Sequence, residues 1–362
     1  MDYRERFLQC MDFKAVDRAP YWWFGAWTST LDRWRNEGLP SDVHPGRYFA
    51  FDRRENLPIN FGMVPAFDRV LVSEDANSRT IVNNRGVKLK ELTERTETSM
   101  PQFLEFPVKT RKDFLEMKKR YDPASPVRFT PWWEDDVKAL EDRNYPIAIY
   151  GGTDLGFLGP VRGWTGLRAL MMLFHTDPGL VHEMMDFLAG FFVGLVEKIV
   201  ENVTPDYFVF WEDMAYKTGP LISPKMFEEF MVPCYRKVID VLKEAGIGTV
   251  MVDSDGNINS LIPLWLKAGV NTVYPLEVQA GMDPVTLRKE YGKRLRLIGG
   301  IDKRSLTKGR QAIEEEVMAK VPYLVRKGGY IPAPDHSVPP DVPLGNFRHY
   351  TELIRETAAG QF

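Results

Sequence analysis

The stretch TVMVDSDGN at residues 249–257 decides the fold class, because a short and mostly apolar run ends there abruptly in polar residues. A helical pattern follows at 257–268, and another apolar run begins at residue 270. This order is typical of a buried strand, a polar turn and an amphipathic helix. Repeated strand–helix units build a parallel sheet with right-handed crossovers.

The same order recurs on both sides of this stretch, from residue 145 towards the C-terminus. The apolar runs predicted as strands are 147–150, 207–210, 249–252, 270–274, 295–298 and 330–333. The segments predicted as helices are 177–202, 224–245, 257–268, 283–291, 309–327 and 345–357. A further strand candidate lies at 20–24. With one strand missed, this pattern predicts an α/β TIM-type barrel of eight strands, and the spacing alone leaves an open parallel sheet as the alternative.

The first part of the chain lacks this repetition and predicts an irregular extension. A hairpin or small β-meander is indicated by apolar runs that flank polar turns, at 69–72, 80–82 and 87–89. We predict a single domain over residues 1–362. Within it, 1–145 form the N-terminal extension plus the first strand, and 146–362 form the regular strand–helix repeats.

The composition excludes several classes of protein. The chain has 362 residues with 47 Lys and Arg and 50 Asp and Glu, so its formal net charge is −3. Such a mixed, nearly balanced charge gives no footprint for nucleic acid or for an anionic membrane surface. The two cysteines, Cys10 and Cys234, cannot form a disulfide framework or a Cys-rich zinc site.

The sequence also predicts where the protein works. No apolar run of signal-peptide length follows the charged N-terminus. The most apolar run, 187–196, is about half the ~20 residues that a membrane helix needs, so it predicts a buried helix. We therefore expect a cytoplasmic protein that binds neither membrane nor nucleic acid and acts on a small molecule. Assembly into a homodimer is left open.

Carboxylates follow five successive predicted strands, where the functional groups of a parallel barrel lie. The residues at these positions are Glu212 and Asp213, Asp253 and Asp255, Glu277, Asp302, and Asp335 with His336. We predict that Glu212, Asp253 and His336 are catalytic, because carboxyl groups and histidine act as general acids and bases. The other carboxylates are predicted to bind substrate. The alternative is that such residues cap the helices that follow them.

A divalent metal is one explanation for the close pair Asp253 and Asp255. The two residues are two positions apart, so their side chains share a face of an extended chain and repel unless a cation or proton lies between them. Glu212 and His336 would complete an oxygen-rich ligand set, which favours a hard or borderline ion. The alternative is neutralisation by a basic side chain, for which the candidates are Arg162, Lys217 and Lys303.

An aromatic cluster lies near the end of the first predicted strand. It consists of Trp23, Phe24 and Trp27. Core packing is the default explanation for such a cluster, and the wall of a ligand pocket is the functional alternative. We include the three residues among the predicted substrate-binding residues.

Several motifs, spread over nearly the whole chain, carry a family resemblance. They are DRAPYW at 17–22, DPGLV at 177–181, LISPKMF at 221–227, DSDGN at 253–257, GID at 300–302 and PDHSVPPDVP at 334–343. With these motifs the chain resembles the uroporphyrinogen decarboxylase family, whose members include corrinoid- and coenzyme M-linked methyltransferases. The resemblance implies a TIM-type barrel with its site at the strand ends.

The chain departs from the founding activity of that family. The decarboxylase has an arginine-rich stretch after its first strand that grips the propionates of the substrate, whereas residues 23–28 here read WFGAWT. We also expect the seven carboxylates at the strand ends to line the mouth and to repel a polyanion, since its desolvation requires several Arg or Lys partners.

The chain also departs from the zinc site of the methyltransferases. That site uses a His-x-Cys pair, which resembles the positions of Asp253 and Asp255, and a Cys near the position of Asp335 and His336. Without thiolates, activation of a thiol acceptor is disfavoured. The resemblance then implies a methyltransferase or demethylase that acts on a small methylated or methoxylated substrate. A carboxylic acid or His336 would protonate the leaving atom.

No covalently bound cofactor is expected, and the cobalamin would be carried by a partner corrinoid protein. Uroporphyrinogen decarboxylation, a lyase reaction of porphyrin biosynthesis, is kept as the alternative. A catalytically silent ligand-binding barrel is the second alternative.

Overall fold

The computed structural model describes residues 1–94 and 100–359. Its strands, numbered along the chain, are β1 (Glu55–Asn56), β2 (Val70–Glu74), β3 (Ser78–Val82), β4 (Lys88–Leu92), β5 (Gln102–Glu105), β6 (Ile147–Tyr150), β7 (Tyr207–Trp211), β8 (Ala215–Tyr216), β9 (Gly219–Pro220), β10 (Thr249–Asp253), β11 (Thr272–Tyr274), β12 (Arg296–Ile298) and β13 (Tyr330–Ile331).

The helices lie mainly between the later strands. They are α1 (Tyr3–Met11), α2 (Thr28–Asn36), α3 (Pro45–Tyr48), α4 (Arg111–Lys118), α5 (Trp133–Lys138), α6 (Leu158–Thr165), α7 (Leu167–Thr176), α8 (Pro178–Val200), α9 (Pro224–Met226), α10 (Val232–Glu244), α11 (Ile262–Ala268), α12 (Pro284–Tyr291), α13 (Arg310–Lys327) and α14 (Leu344–Ala358). A π-helical turn, Phe227–Met231, joins α9 to α10.

Seven parallel strands form the central sheet, in the order β1, β6, β7, β10, β11, β12, β13. Successive strands are neighbours, as expected when each is followed by a helical crossover. This architecture is an α/β fold with a curled parallel sheet that is consistent with a TIM-like barrel. The eight-stranded form remains a prediction.

Side chains alternate between the two faces of the curled sheet. On β10, Val250 and Val252 belong to the main core shared with the helices, whereas Met251 belongs to a separate inner cluster. The residues that other strands contribute to this inner cluster are Ala148, Tyr207, Val209, Ile298 and Ile331. Because side chains two positions apart share a face, Asp253 follows Met251 on the inner face at the end of its strand.

The segment 20–24 forms no strand in the described part of the chain, contrary to the expectation from its apolar residues. The backbone N–H of Tyr21 donates to the carboxylate of Asp52 at 3.0 Å, and the backbone carbonyl of Tyr21 accepts the N–H of Asp52 at 2.7 Å. The Asp52 side chain therefore occupies the backbone N–H of Tyr21, which a strand would need for a hydrogen bond to its neighbour in the sheet. A parallel contact of this region with the loop after β13 is the isolated bridge between Ala26 and Val338.

The strand beside β6 is instead β1, which sequence reasoning missed. It contains two polar residues, Glu55 and Asn56, which pair in parallel with Ile147 and Ala148. Two polar residues carry no apolar period, so no pattern could reveal this strand.

Residues 70–105 include a separate antiparallel sheet in the order β2, β3, β4, β5. The turn between β3 and β4 reaches the loop after β6, where Arg85 pairs with Asp154 at 2.9 Å. This part of the extension is thereby attached at the carboxyl end of the central sheet.

The run 187–196 lies within α8. By length and composition alone this helix could cross a membrane, but more than half of its most apolar window is buried inside the protein. Its buried side chains, such as Phe192 and Leu195, belong to the main core. The helix packs as the sequence predicted, as a buried helix of the fold.

Arg128 ties the extension to α8. Its side chain is 1 % exposed and lies over the ring of Phe191, with 4.4 Å between the guanidinium carbon and the ring centre. The guanidinium donates hydrogen bonds to four backbone carbonyls, those of Asn60, Gly62, Arg120 and Asp122. These bonds satisfy loop carbonyls that would otherwise be buried without a donor.

We predict that Arg128→Met lowers the free energy of unfolding by about 3–5 kcal/mol, because four carbonyls lose a charged donor. The matched control is Arg35→Met, which removes an exposed ion pair with Asp32 and is expected to cost below about 1 kcal/mol. Urea-induced unfolding followed by tryptophan fluorescence measures both. Equal effects of the two substitutions would contradict the anchoring role.

Candidate active site

A cavity of about 1100 Å³ opens at the carboxyl ends of the central strands. Its floor includes the last residues of four strands, Tyr150, Trp211, Asp253 and Tyr274. These positions continue the inner-face alternation of β6, β7, β10 and β11. The cavity therefore lies where parallel barrels hold their functional groups.

The N-terminal extension forms the opposite wall. Trp23, Phe24 and Phe51 line the cavity with aromatic rings, and the ring of Phe24 meets that of Tyr274 edge-on at 5.8 Å. Trp27, the third predicted aromatic residue, does not line the cavity; it directly precedes α2, and its backbone N–H donates to the backbone carbonyl of Val338 at 3.2 Å.

Asp253 is held by two tyrosines. The hydroxyls of Tyr150 and Tyr274 both donate to Oδ2 of Asp253, at 3.1 and 3.0 Å. Burial raises the pKa of Asp253 to about 7; the charges of Asp255 and Asp213 add to the rise, and the two hydroxyl donors oppose it. A large fraction of Asp253 is therefore protonated at neutral pH, which suits a general acid.

Asp255 pairs with His336 across the cavity. The Nε2 atom of His336 lies 3.3 Å from Oδ2 of Asp255, and this hydrogen bond raises the pKa of His336. The next residue, Gly256, has φ of +80°, and a Cβ there would lie 2.4 Å from the backbone carbonyl oxygen of Ala215. Glycine is thus required to turn the chain directly after the carboxylate.

Asp213 also lines the cavity, on a strained backbone with φ of +47°. Burial raises the pKa of Asp213, with a contribution from the charge of Asp255. The guanidinium of Arg162 donates to the backbone carbonyl of Asp213 at 2.9 Å and lies 3.9 Å from its carboxylate. Arg162, one of the basic residues named from the sequence, therefore stabilises this loop.

Glu212 lies outside the cavity and is fully buried. Its two oxygens accept the backbone N–H groups of Phe157 and Leu158, each at 2.9 Å, and the hydroxyl of Tyr235. These contacts satisfy backbone N–H groups at the N-terminus of α6. Burial raises the pKa of Glu212 to about 7. The structure gives Glu212 the geometry of a positioning residue rather than of a group that touches substrate.

Asp335 is likewise fully buried and does not line the cavity. It accepts backbone N–H groups from Val278 and Lys303, each at 3.0 Å, and burial raises the pKa of its carboxyl group. Glu277 accepts the N–H of Gly256 at 3.0 Å and lies 3.6 Å from Nζ of Lys303. Lys303 also lies 3.8 Å from the carboxylate of Asp335, so it neutralises Glu277 and Asp335 rather than the pair Asp253 and Asp255 for which the sequence named it.

Asp302 does not line the cavity either. Its carboxylate pairs with Arg304 and accepts the backbone N–H of the same residue at 2.9 Å. Asp302 thus stabilises a local turn and does not cap a helix, since neither the short 3-10 turn Ser305–Thr307 nor α13 has a side-chain cap.

The four proposed metal ligands do not form one ligand set. Within residues 1–94 and 100–359, no group of three or more His, Cys, Asp or Glu side chains could hold a metal ion. Glu212 is occupied by backbone donors, Asp253 by two tyrosines, and Asp255 by His336. These four residues therefore do not fit a shared metal ion.

Sequence reasoning missed the arginines of this wall. Arg47, Arg53 and Arg54 line the cavity, whereas of the seven strand-end carboxylates Asp213, Asp253 and Asp255 do so. The expectation that all seven strand-end carboxylates line the mouth is therefore corrected to three of them, accompanied by three arginines. No sequence pattern indicates these arginines, because they follow no predicted strand and reach the cavity only through the packing of the extension.

We predict that Glu212→Ala lowers the free energy of unfolding by about 2–5 kcal/mol, because two backbone N–H groups and the Tyr235 hydroxyl lose their acceptor. Glu352→Ala, an exposed substitution on α14, is the control, with an expected change within about 0.5 kcal/mol. Chemical denaturation measures both, and a neutral effect of Glu212→Ala would exclude the positioning role.

Comparison with known proteins agrees with this architecture. The family model of uroporphyrinogen decarboxylase (URO-D) matches residues 161–357, more than half of the chain. A solved structure described as a methyltransferase from Methanosarcina mazei superposes with a TM-score of 0.64 at 15 % identity, over 98 % of this chain and 99 % of that one. At that identity the likeness shows the fold alone.

Two relatives match at low identity. The methylcobamide:CoM methyltransferase MtbA of Methanosarcina acetivorans is 22 % identical over 270 residues, and that of Methanosarcina mazei is 23 % identical over 270 residues. Each match covers 75 % of both chains. With the family model and these relatives, the chain belongs to the uroporphyrinogen decarboxylase (URO-D) family, nearer to its methyltransferase-like members than to the true decarboxylase.

Proposed function

We propose that this protein is a methyltransferase or demethylase that moves a methyl group between a small methylated or methoxylated molecule and a corrinoid carried by a separate protein. The observation that carries the proposal is Asp253, a carboxyl group held by two tyrosines in the floor of an aromatic cavity. The methyltransferase relatives support the reaction class.

The reaction needs a proton donor at the leaving atom. When a methyl group is removed from an ether oxygen, the electron pair of the broken C–O bond stays on the oxygen, which then takes up a proton. Asp253 holds that proton near neutral pH, and its Oδ1 atom has no hydrogen-bond partner among the described residues. After transfer, the hydroxyls of Tyr150 and Tyr274 stabilise the carboxylate that remains.

Aromatic side chains line the cavity beside the proposed acid. Phe24, Tyr274 and Trp211 surround the cavity end of Asp253, and an aromatic substrate can pack against such rings. Asp255 and His336 form a second proton-holding pair in the same cavity. A corrinoid on a partner protein would supply the nucleophilic cobalt that takes the methyl group.

The residues of this site do not support activation of a thiol by zinc. The names of the relatives specify CoM, a thiol, as their second substrate. Here the corresponding loop holds Asp253 and Asp255, and the two cysteines, Cys10 and Cys234, are both buried away from the cavity. We therefore infer that this chain acts on the side of the methyl donor.

Uroporphyrinogen decarboxylation is not supported by the matched relatives. A polyanionic substrate needs several cationic partners. Of the three arginines in the cavity, Arg53 is already paired with Glu55. Formation of coproporphyrinogen from uroporphyrinogen by the purified protein would reverse this conclusion.

We predict that Asp253→Asn lowers the rate of methyl transfer to a corrinoid protein by about 10²–10⁴-fold, the usual contribution of a general acid. The wild-type rate should fall as pH rises through about 7, because Asp253 then loses its proton. The residual rate of the variant should lack this step. The groups that face Asp253 and also influence the profile are Tyr150, Tyr274, Asp213, Asp255 and Arg54.

The assay uses a panel of methoxy-aromatics and methylamines with the carrier present, and follows the corrinoid spectrum. Asp240→Asn, which changes an exposed carboxylate on α10, is the matched control and should leave the rate unchanged. Full activity of Asp253→Asn, or no transfer from any member of the panel, would count against the proposed reaction.

A further inference from the structure

The carboxylates that line the cavity are all occupied. Their partners within the described chain are Arg18 for Asp52, Arg53 for Glu55, Arg162 for Asp213, His336 for Asp255, and the hydroxyls of Tyr150 and Tyr274 for Asp253. Little negative charge in this cavity is therefore left to attract a cation.

By contrast, one cationic side chain that lines the cavity, Arg54, is not in an ion pair within the described residues. It lines the cavity and is half-buried, yet it makes no ion pair with any carboxylate in residues 1–94 and 100–359. Arg47 also lacks an ion pair there, but its side chain is exposed to solvent at the rim. A half-buried cation without a counter-ion carries a desolvation cost that an anionic ligand would offset.

The position of Arg54 is fixed without use of most of its donors. Its guanidinium carbon lies 4.4 Å from the ring centre of Trp22 and 5.9 Å from that of Phe24, and Nη2 donates to the backbone carbonyl of Trp23 at 3.2 Å. No other hydrogen bond from this side chain is found in the described structure. The remaining N–H groups form a planar fork of the kind that binds a carboxylate through two parallel hydrogen bonds.

Contacts along the cavity wall connect this fork to the proposed acid. The guanidinium carbon of Arg54 lies 5.9 Å from the ring centre of Phe24, the ring of Phe24 meets that of Tyr274 at 5.8 Å, and Tyr274 donates to Asp253. An aromatic substrate that packs against Phe24 can therefore contact both Arg54 and Asp253.

We propose that Arg54 binds an anionic group of the substrate, so that the preferred substrates are aromatic carboxylates that carry the methyl ether at the far end of the ring. The position of the methyl group rests on the proposed function, whereas the anion site does not. A cationic methylammonium compound, which aromatic walls alone would favour, is thereby disfavoured by the unpaired cation.

The test compares three ligands of similar size and different charge. They are 4-methoxybenzoate, 4-methoxybenzyl alcohol and 4-methoxybenzylamine, titrated into the purified full-length protein by calorimetry at neutral pH. We expect the anion to bind at least about tenfold more tightly than the alcohol, and the amine to bind most weakly. The variants are Arg54→Gln, Arg54→Lys and the exposed control Arg35→Gln.

In Arg54→Gln the preference for the anion over the alcohol should fall below about threefold, Arg54→Lys should retain part of it, and Arg35→Gln should match the wild type. The alcohol serves as an internal check that each variant keeps a folded cavity. The proposal is overturned if the wild type binds the alcohol or the amine as tightly as the anion, if it binds no anion, or if Arg54→Gln keeps the full preference.

Binding and methyl transfer fail separately. If 4-methoxybenzoate binds through Arg54 but no methyl group reaches the corrinoid protein, the proposed function fails and the anion site stands. If neutral and anionic ethers are demethylated with equal kcat/KM in wild type and Arg54→Gln, the proposed function stands and the anion site fails.

Discussion

Several carboxylates are buried at the ends of the parallel strands, and the need to stabilise them sets the geometry of this site. A carboxylate taken out of water must find donors, a cation or a proton. The protein meets that cost in a different way at each strand end. Backbone N–H groups hold Glu212 and Asp335, a histidine holds Asp255, and two tyrosines with a proton hold Asp253. Each arrangement fixes a loop, so neutralising these charges also shapes the cavity.

The N-terminal extension completes the site that the sheet begins. The carboxylate of Asp52 accepts the backbone N–H of Tyr21 and pairs with Arg18. These contacts hold the segment around residues 18–21 against the segment around residue 52. Phe24 follows Tyr21 and Arg54 follows Asp52 closely in the chain, so both side chains reach the cavity at the strand ends. The chemistry proposed for Asp253 and the anion selectivity proposed for Arg54 therefore come from two parts of the chain that are joined only by tertiary packing.

Much of the regular half of the fold was predictable because its signals are local. Apolar runs gave six of the central strands close to their observed ends, including 147–150 and 249–252, since buried parallel strands are apolar on both faces. β1 was not predictable, because its two polar residues carry no period. The apolar run 20–24 was wrongly predicted as a strand. An apolar sequence predicts burial, but it does not predict which group accepts the hydrogen bonds of its backbone N–H groups.

Periodicity and motifs are properties of neighbouring residues, so they were enough to predict the parallel sheet, the family and a candidate site at the strand ends. Which strand-end carboxylates reach the cavity depends on long-range packing instead. Glu212 directly follows β7 and Asp253 is the last residue of β10, so the two carboxylates look alike in sequence. Residues on successive positions face opposite sides of a strand, and distant partners such as Tyr235 or Tyr150 then determine whether a carboxylate is locked into a loop or left in the cavity.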